Sequence, residues 1–204
     1  MSALLFLFSG LHVLFSDLHG KDVLLAYRKA EFNNESANNE WLNVQKQYQR
    51  RSNLIPSMER TFNDYVKQEQ GTLEILETAR VRATHAMVAP AKLTPEKQQQ
   101  FQRAQTELSS ALSRLMAVAV TYPDLMADNN FLNLQLQLKC TEDSISESIN
   151  SYNYSLSLYN RSIQGIPIRF FAGLLGFHNR PELDRDSVGA NLFKDNVVTY
   201  PSNY

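Results

Sequence analysis

From Val23 onward the chain repeats at alternating steps of four and three residues: Val23, Tyr27, Ala30, Asn34, Ala37, Trp41, Val44 and Tyr48. The phase continues through Arg51, Ile55, Met58, Phe62, Tyr65, Glu69, Thr72, Leu76, Ala79 and Ala83. That spacing places every one of these positions on one face of an α-helix. Only Gly71 lies between Gly20 and Gly165. The tight turns of all-β and α/β domains draw on glycine for positive φ, so a stretch this poor in glycine is unlike either class.

Pro56 falls inside the stripe without changing its phase. A proline within a helix collides with the carbonyl four residues back, which predicts a kink in one long helix. Alternatively, Asn53 caps a new helix whose first turn contains Pro56. The reading adopted is a pronounced kink or short break. A loop is expected at Val88–Thr94, followed by a helix start at Thr94-Pro95-Glu96, where a capping hydroxyl, an N1 proline and an acid meet the positive end of the dipole. Phe101, Ala104, Leu108, Ala111, Leu115 and Val118 form the next stripe, which Tyr122-Pro123 ends. Asp128 is placed to cap the last helix, whose stripe runs Phe131, Leu134, Leu138, Thr141, Ile145, Ile149, Tyr152, Leu156, Tyr159 and Ile163 before Gly165 and Pro167 stop it. Four stretches of about 30 residues, roughly 45 Å each, predict an all-α protein: an antiparallel four-helix bundle of long helices.

The expected organisation is an N-terminal apolar membrane-anchor segment (1–20), the helical bundle (21–165), an apolar bundle-capping segment (166–178) and a flexible polar tail (179–204). Ala3–Phe15 is apolar and uncharged but shorter than the roughly 20 residues a spanning helix needs. It lacks the basic start and the cleavage site of a secretion signal, and it is read as a retained anchor, with interfacial insertion or a buried terminal helix as the competing readings. Lys21, Arg28 and Lys29 follow it, which would keep the body in the cytoplasm.

Several short motifs fall in a fixed order along the chain. They are Asn39-Glu-Trp41, Gln47-Tyr-Gln-Arg-Arg51, Leu54-Ile-Pro56, Thr72-Leu73, Glu77-Thr-Ala-Arg80, Leu112-Ser-Arg-Leu115, Tyr122-Pro-Asp-Leu125, Asn130-Phe-Leu132, Thr141-Glu142, Tyr152-Asn153, Tyr159-Asn160 and Gly176-Phe177. In this order and spacing the chain resembles the LemA family from Tyr27 to Phe177. The resemblance implies a LemA-like helical bundle carried on one N-terminal membrane segment in the bacterial inner membrane. It also implies kinship with proteins that help organise bacterial membrane compartments, magnetosome proteins among them. It transfers no catalytic residues. The chain departs from the family pattern at Asn53 and Ile149, both uncharged where the family often carries charge, and in its shorter apolar run.

Reactive constellations are not expected. His12, His19, His85 and His178 fall in separate segments, no Glu has a His three residues later, and Cys140 is alone, so neither a zinc set nor a di-iron helix pair is expected. Phosphate-cradling and nucleophile-elbow motifs are missing. Lys+Arg 20 against Asp+Glu 21 leaves no basic field for nucleic acid. The expectation is therefore no enzyme, no catalytic residue, no metal, no cofactor and no small-molecule substrate.

The interaction candidates are Arg50, Arg51, Phe170, Phe171 and Phe177. Arg51 also lies on the stripe, which points to an intramolecular partner such as a glutamate on a facing helix. Glu142, Asp143 and Glu147 are read as a solvated acidic face. The leading expectation is a non-enzymatic, membrane-associated scaffold with protein partners. Self-association is included because Leu132, Leu136 and Leu158 widen the last stripe. The rivals are a ligand-binding or hydrolytic bundle with a polar interior near Asn34 and Arg51, and a membrane-remodelling factor using the N-terminal run, Arg50-Arg51 and Ile168–Phe177.

Overall fold

A computed structural model of the chain describes residues 20–166 and 168–184. These residues are helical or irregular, with no strand among them. In order they form α1 (Gly20–Tyr65), α2 (Gln70–His85), a 3₁₀ turn (Pro90–Lys92), α3 (Pro95–Ala119), the single turn α4 (Pro123–Met126), α5 (Asn129–Gln164) and a second 3₁₀ turn (Ile168–Phe170).

The first helix corrects the expected division of the chain. Instead of four stretches of similar length, α1 has 46 residues, α2 16, α3 25 and α5 36. The short break expected near Pro56 is absent, and α1 passes through the proline unbroken. The ring sits at an exposed position, and the turn beyond it is braced by Arg60, which donates to the Pro56 carbonyl (3.3 Å) and to Ser57 Oγ (3.2 Å). The interruption comes ten residues later, at Val66–Glu69. There Val66 is buried while Tyr65 and Glu69, the positions predicted by phase, are not. The stripe only seems continuous across this turn because Phe62 and Thr72, on different helices, are both buried. Thr72 reaches back to Glu69 Oε2 (3.3 Å), closing the first turn of α2.

The helix starts further along match their sequence signals. Thr94 Oγ1 accepts from the Lys97 amide (3.3 Å) at the head of α3, and Asp128 Oδ1 accepts from the Phe131 amide (2.9 Å) at the head of α5. Each satisfies one of the donors that a helix N-terminus leaves free.

The described chain divides into two compact units, both drawing on α1 and α5. The larger comprises Glu40–Tyr152 with residues 181–184. Its core contains Ile55, Met58 and Phe62 from α1, Leu76 and Ala79 from α2, Leu108, Leu112 and Leu115 from α3, and Phe131 and Leu138 from α5. The Leu, Ile, Met and Phe side chains among them contribute about 1.5–3 kcal/mol each when fully buried. Side-chain bonds fix the register: Trp41 and Gln45 to Val88, Ser52 to Thr84, Tyr65 to Asp128, and Gln135 to Met116.

The smaller unit comprises residues 20–39 and Asn153–Arg180. Ala30, Ala37, Leu156, Tyr159, Ile163, Ile168 and Phe177 are its buried apolar residues. Phe177 packs between Tyr27 (ring centroids 5.8 Å apart) and Tyr159 (6.4 Å). Arg180, in the region read as polar tail, donates to Asn38 Oδ1 (2.9 Å) and Asn34 Oδ1 (2.8 Å) and lies over the Tyr159 ring (4.6 Å). Its backbone exchanges two hydrogen bonds with the Asn160 amide (2.8 and 3.1 Å).

No helix among the described residues is long and apolar enough to cross a membrane, so the expected spanning helix has no counterpart there. The anchor segment falls on residues 1–19, outside the described residues apart from Gly20, and the tail from 185 onward lies outside them too.

Candidate functional site

The chemistry-bearing side chains converge most densely around Arg51, in the larger unit. The stripe that carries Trp41, Val44 and Tyr48 into the core carries Arg51 with them, and its side chain is 0% exposed. A guanidinium cannot shed its charge, so burial obliges it to find acceptors. Nη1 donates to Glu142 Oε1 (3.1 Å) and Ser109 Oγ (2.9 Å). Nη2 donates to the Gln105 side-chain oxygen (2.8 Å) and main-chain oxygen (3.2 Å). Gln105 in turn donates from Nε2 to the Ala83 carbonyl (3.2 Å). One node therefore holds α1 through Arg51, α2 through Ala83, α3 through Gln105 and Ser109, and α5 through Glu142.

An aromatic cluster adjoins it. The Arg51 guanidinium lies 5.0 Å from the Tyr48 ring centre. Tyr48 meets Phe101 edge-on (5.1 Å, 85°), and Trp41 packs on Phe101 (5.0 Å) and Tyr152 (5.5 Å). Burial pushes the Tyr48 hydroxyl far above its ordinary range, with Arg51 opposing and Glu142 adding to the shift. Burial also holds the Glu142 carboxyl above its ordinary value, and Arg51 offsets only part of that cost.

The sequence-derived candidates separate into two groups. Arg50 is exposed on the larger unit. Arg51 is enclosed, which removes it as a contact for outside partners and bears out the intramolecular glutamate. Phe170, Phe171 and Phe177 all belong to the smaller unit: Phe170 is 64% exposed, Phe171 is half-buried, and Phe177 is packed inward. Glu142 corrects the reading of a solvated acidic face, because it is buried against Arg51 while Asp143 and Glu147 are exposed. Its neighbour Thr141 is on the predicted stripe, so the signal was present: a glutamate one step from a core position, opposite a core arginine. Gln105, Ser109 and Arg180 carried no comparable signal, since neutral amides and hydroxyls occur on both faces of these helices. No group of three or more metal-ligating side chains occurs among the described residues.

A sequence model of the LemA family matches residues 40–191. The magnetosome protein MamQ of Magnetospirillum gryphiswaldense is 27% identical over 92 residues, which cover 42% of this chain and 34% of MamQ. This match spans about a third of that relative's length. The family match extends over most of the chain, takes in Arg51, Gln105 and Glu142 together, and agrees with the all-helical structure: the chain belongs to the LemA family.

Proposed function

We propose that this protein is a non-enzymatic, membrane-associated scaffold, a helical bundle whose exterior engages protein partners. The observation that carries this reading is the Arg51 node. Among the described residues the buried pair of Arg51 and Glu142 joins four helices, with both Nη donors of Arg51 bonded to side chains of neighbouring helices.

The bundle proposed is an antiparallel four-helix one over Glu40–Tyr152. Pairings between α1 and α5 run 41 with 152, 51 with 142 and 65 with 128, falling in one as they rise in the other. Those of α1 with α2 (52 with 84, 45 with 88) follow the same rule, as do those of α3 with α5 (98 with 152, 109 near 142, 116 with 135). Membrane attachment is assigned to the apolar run at residues 3–15, with the body on the cytoplasmic side by the placement of Lys21, Arg28 and Lys29. MamQ, named for the magnetosome, supports a role at a bacterial membrane compartment.

Detergent-free fractionation of cells making the full chain tests attachment: the scaffold reading expects the protein in the membrane pellet, and full recovery in the high-speed supernatant contradicts it. Affinity capture from those membranes tests partnership. Its truncation control ends at Asp184, because Arg180 and Leu183 are built into the fold.

A ligand-binding or hydrolytic bundle is the second reading, favoured by one observation. Tyr48 Oη, Arg51 Nε and Glu142 Oε2 are buried without a protein hydrogen-bond partner. A saturable rise in melting temperature with small carboxylates or phosphate, lost in Arg51→Met, would establish it over the scaffold.

A further inference from the structure

The structure's exposed apolar side chains are unevenly placed. Nine of the fifteen large hydrophobic residues exposed among the described residues belong to the smaller unit. The densest set lies after α5: Ile166 is 65% exposed, Phe170 64%, Leu174 89% and Leu175 43%. This segment is not a frayed end. Arg169 bonds back to Gly165 (2.9 Å), Phe171 to Ile168 (2.9 Å), Leu175 to Phe171 (2.9 Å) and Phe177 to Ala172 (2.8 Å). Gly176 closes the turn at φ 78°, a backbone region that favours glycine. Ile168 and Phe177 anchor the turn inward while the four exposed residues point out. A folded turn that holds large apolar side chains in water has a contact to make.

We propose that the exposed Ile166, Phe170, Leu174 and Leu175 form a lipid-contact surface that inserts into the membrane interface. The inference rests on the membrane attachment proposed above and adds a second, independent point of contact.

Three observations select lipid over other occupants. The apolar run at residues 3–15 ends a few residues before α1 begins at Gly20, and Leu24 and Leu25 on the next turn of α1 are themselves exposed. The Tyr27–Phe177 ring contact ties that end of α1 to the turn, so a membrane holding the first also meets the second. Arg169 is exposed within the turn, and the exposed Lys21, Arg28 and Lys29 outnumber the exposed Asp22 in the first turns of α1, which suits anionic headgroups. A second copy of the chain fits less well: a stable dimer engages about 20–30 residues a side, whereas interfacial insertion needs only a few apolar side chains and nearby basic ones.

The test uses the full chain with its exposed cysteine removed by Cys140→Ser and a nitroxide placed by Leu174→Cys, with Leu136→Cys in the larger unit as control. Vesicles of phosphatidylethanolamine and phosphatidylglycerol are added, and accessibility to oxygen and to a water-soluble nickel chelate is read by spin resonance. The expected result is a severalfold rise in the oxygen-to-nickel ratio at 174 with no change at 136. If the chain binds vesicles while the label at 174 stays water-exposed, the turn is not a lipid contact and attachment by the N-terminal run alone stands. If the chain does not bind, both readings fall. Shielding at 174 before vesicles are added would show the turn covered by protein, and it overturns the inference.

Discussion

The two units of this chain are built from the same pair of long helices to opposite ends. In Glu40–Tyr152 the α1 and α5 stripes meet α2 and α3, large side chains are enclosed, and the ion pair of Arg51 and Glu142 is sealed inside. In residues 20–39 and Asn153–Arg180 the same helices lack those partners. That unit buries Leu156, Ile163, Ile168, Tyr159 and Phe177 with two small alanines, adds amide bonds to Arg180, and leaves nine large apolar side chains exposed. The amphipathic pattern is alike in both. What differs is how many helices are present to cover it, and burial follows from that. Stability is therefore expected to reside in the larger unit, and outward contact is what we propose for the smaller.

The largest expected effect comes from splitting the buried ion pair. Arg51→Met and Glu142→Leu should each cost about 3–5 kcal/mol, because each strands a charge in a dry interior, and the double variant should recover most of the loss. Urea unfolding of the four-member cycle measures it, and additive losses would mean the pair does not act as a unit. Next comes a direct contrast of apolar residues. Leu112→Ala in the enclosed core should cost about 2–5 kcal/mol, while Leu174→Ala in the exposed turn should stay within about 0.5 kcal/mol of the parent. Equal costs by the same titration would erase the distinction between the units.

Arg180→Ala tests what holds the smaller unit. Losing its bonds to Asn34 and Asn38 should weaken that unit by about 1–3 kcal/mol. Amide exchange should then quicken in Asn153–Arg180 and stay unchanged at the Leu108–Leu115 core. Smallest is the α5 cap. Asp128→Ala should lower the urea midpoint only slightly, and pH sharpens this against Glu142. Hydrogen bonds from the Phe131 amide and Tyr65 hold the Asp128 carboxyl below its ordinary 3.8, so its contribution is full above 3.8 and is lost as pH falls through the lower folded value. Glu142 runs the other way. With its carboxyl raised above 4.5, its contribution is full below 4.5 and is lost as pH rises through the folded value. Urea midpoints across the acid range should show Asp128→Ala flattening the low-pH fall and Glu142→Gln flattening the decline above it.

The helical class, the caps at Thr94 and Asp128, and nearly every core position of α5 could be read from periodicity, because those features are local and depend on spacing alone. The turn at Val66–Glu69 could not. The phase of the stripe survives it by coincidence of length, and Pro56 offered a stronger breaker signal ten residues earlier. Pro56 lost that contest because its ring faces solvent and its helix is packed over many turns on either side. The candidate site was half legible. Arg51 on the stripe demanded a buried acceptor, and Glu142 lay one step from the α5 stripe, but pairing the two required the register of α5 against α1. The lipid-contact turn was legible only as apolar. Which of its residues point outward depends on the hydrogen bonds that fold it, and Phe177 and Phe170, alike in sequence, end on opposite sides.

The most direct test of the account is amide hydrogen exchange on the full chain with and without phosphatidylglycerol-containing vesicles. The account predicts new protection confined to the smaller unit, strongest across residues 166–177, with exchange around Arg51, Gln105 and Glu142 unchanged. New protection in the α2 and α3 helices, with residues 166–177 unaffected, would contradict it.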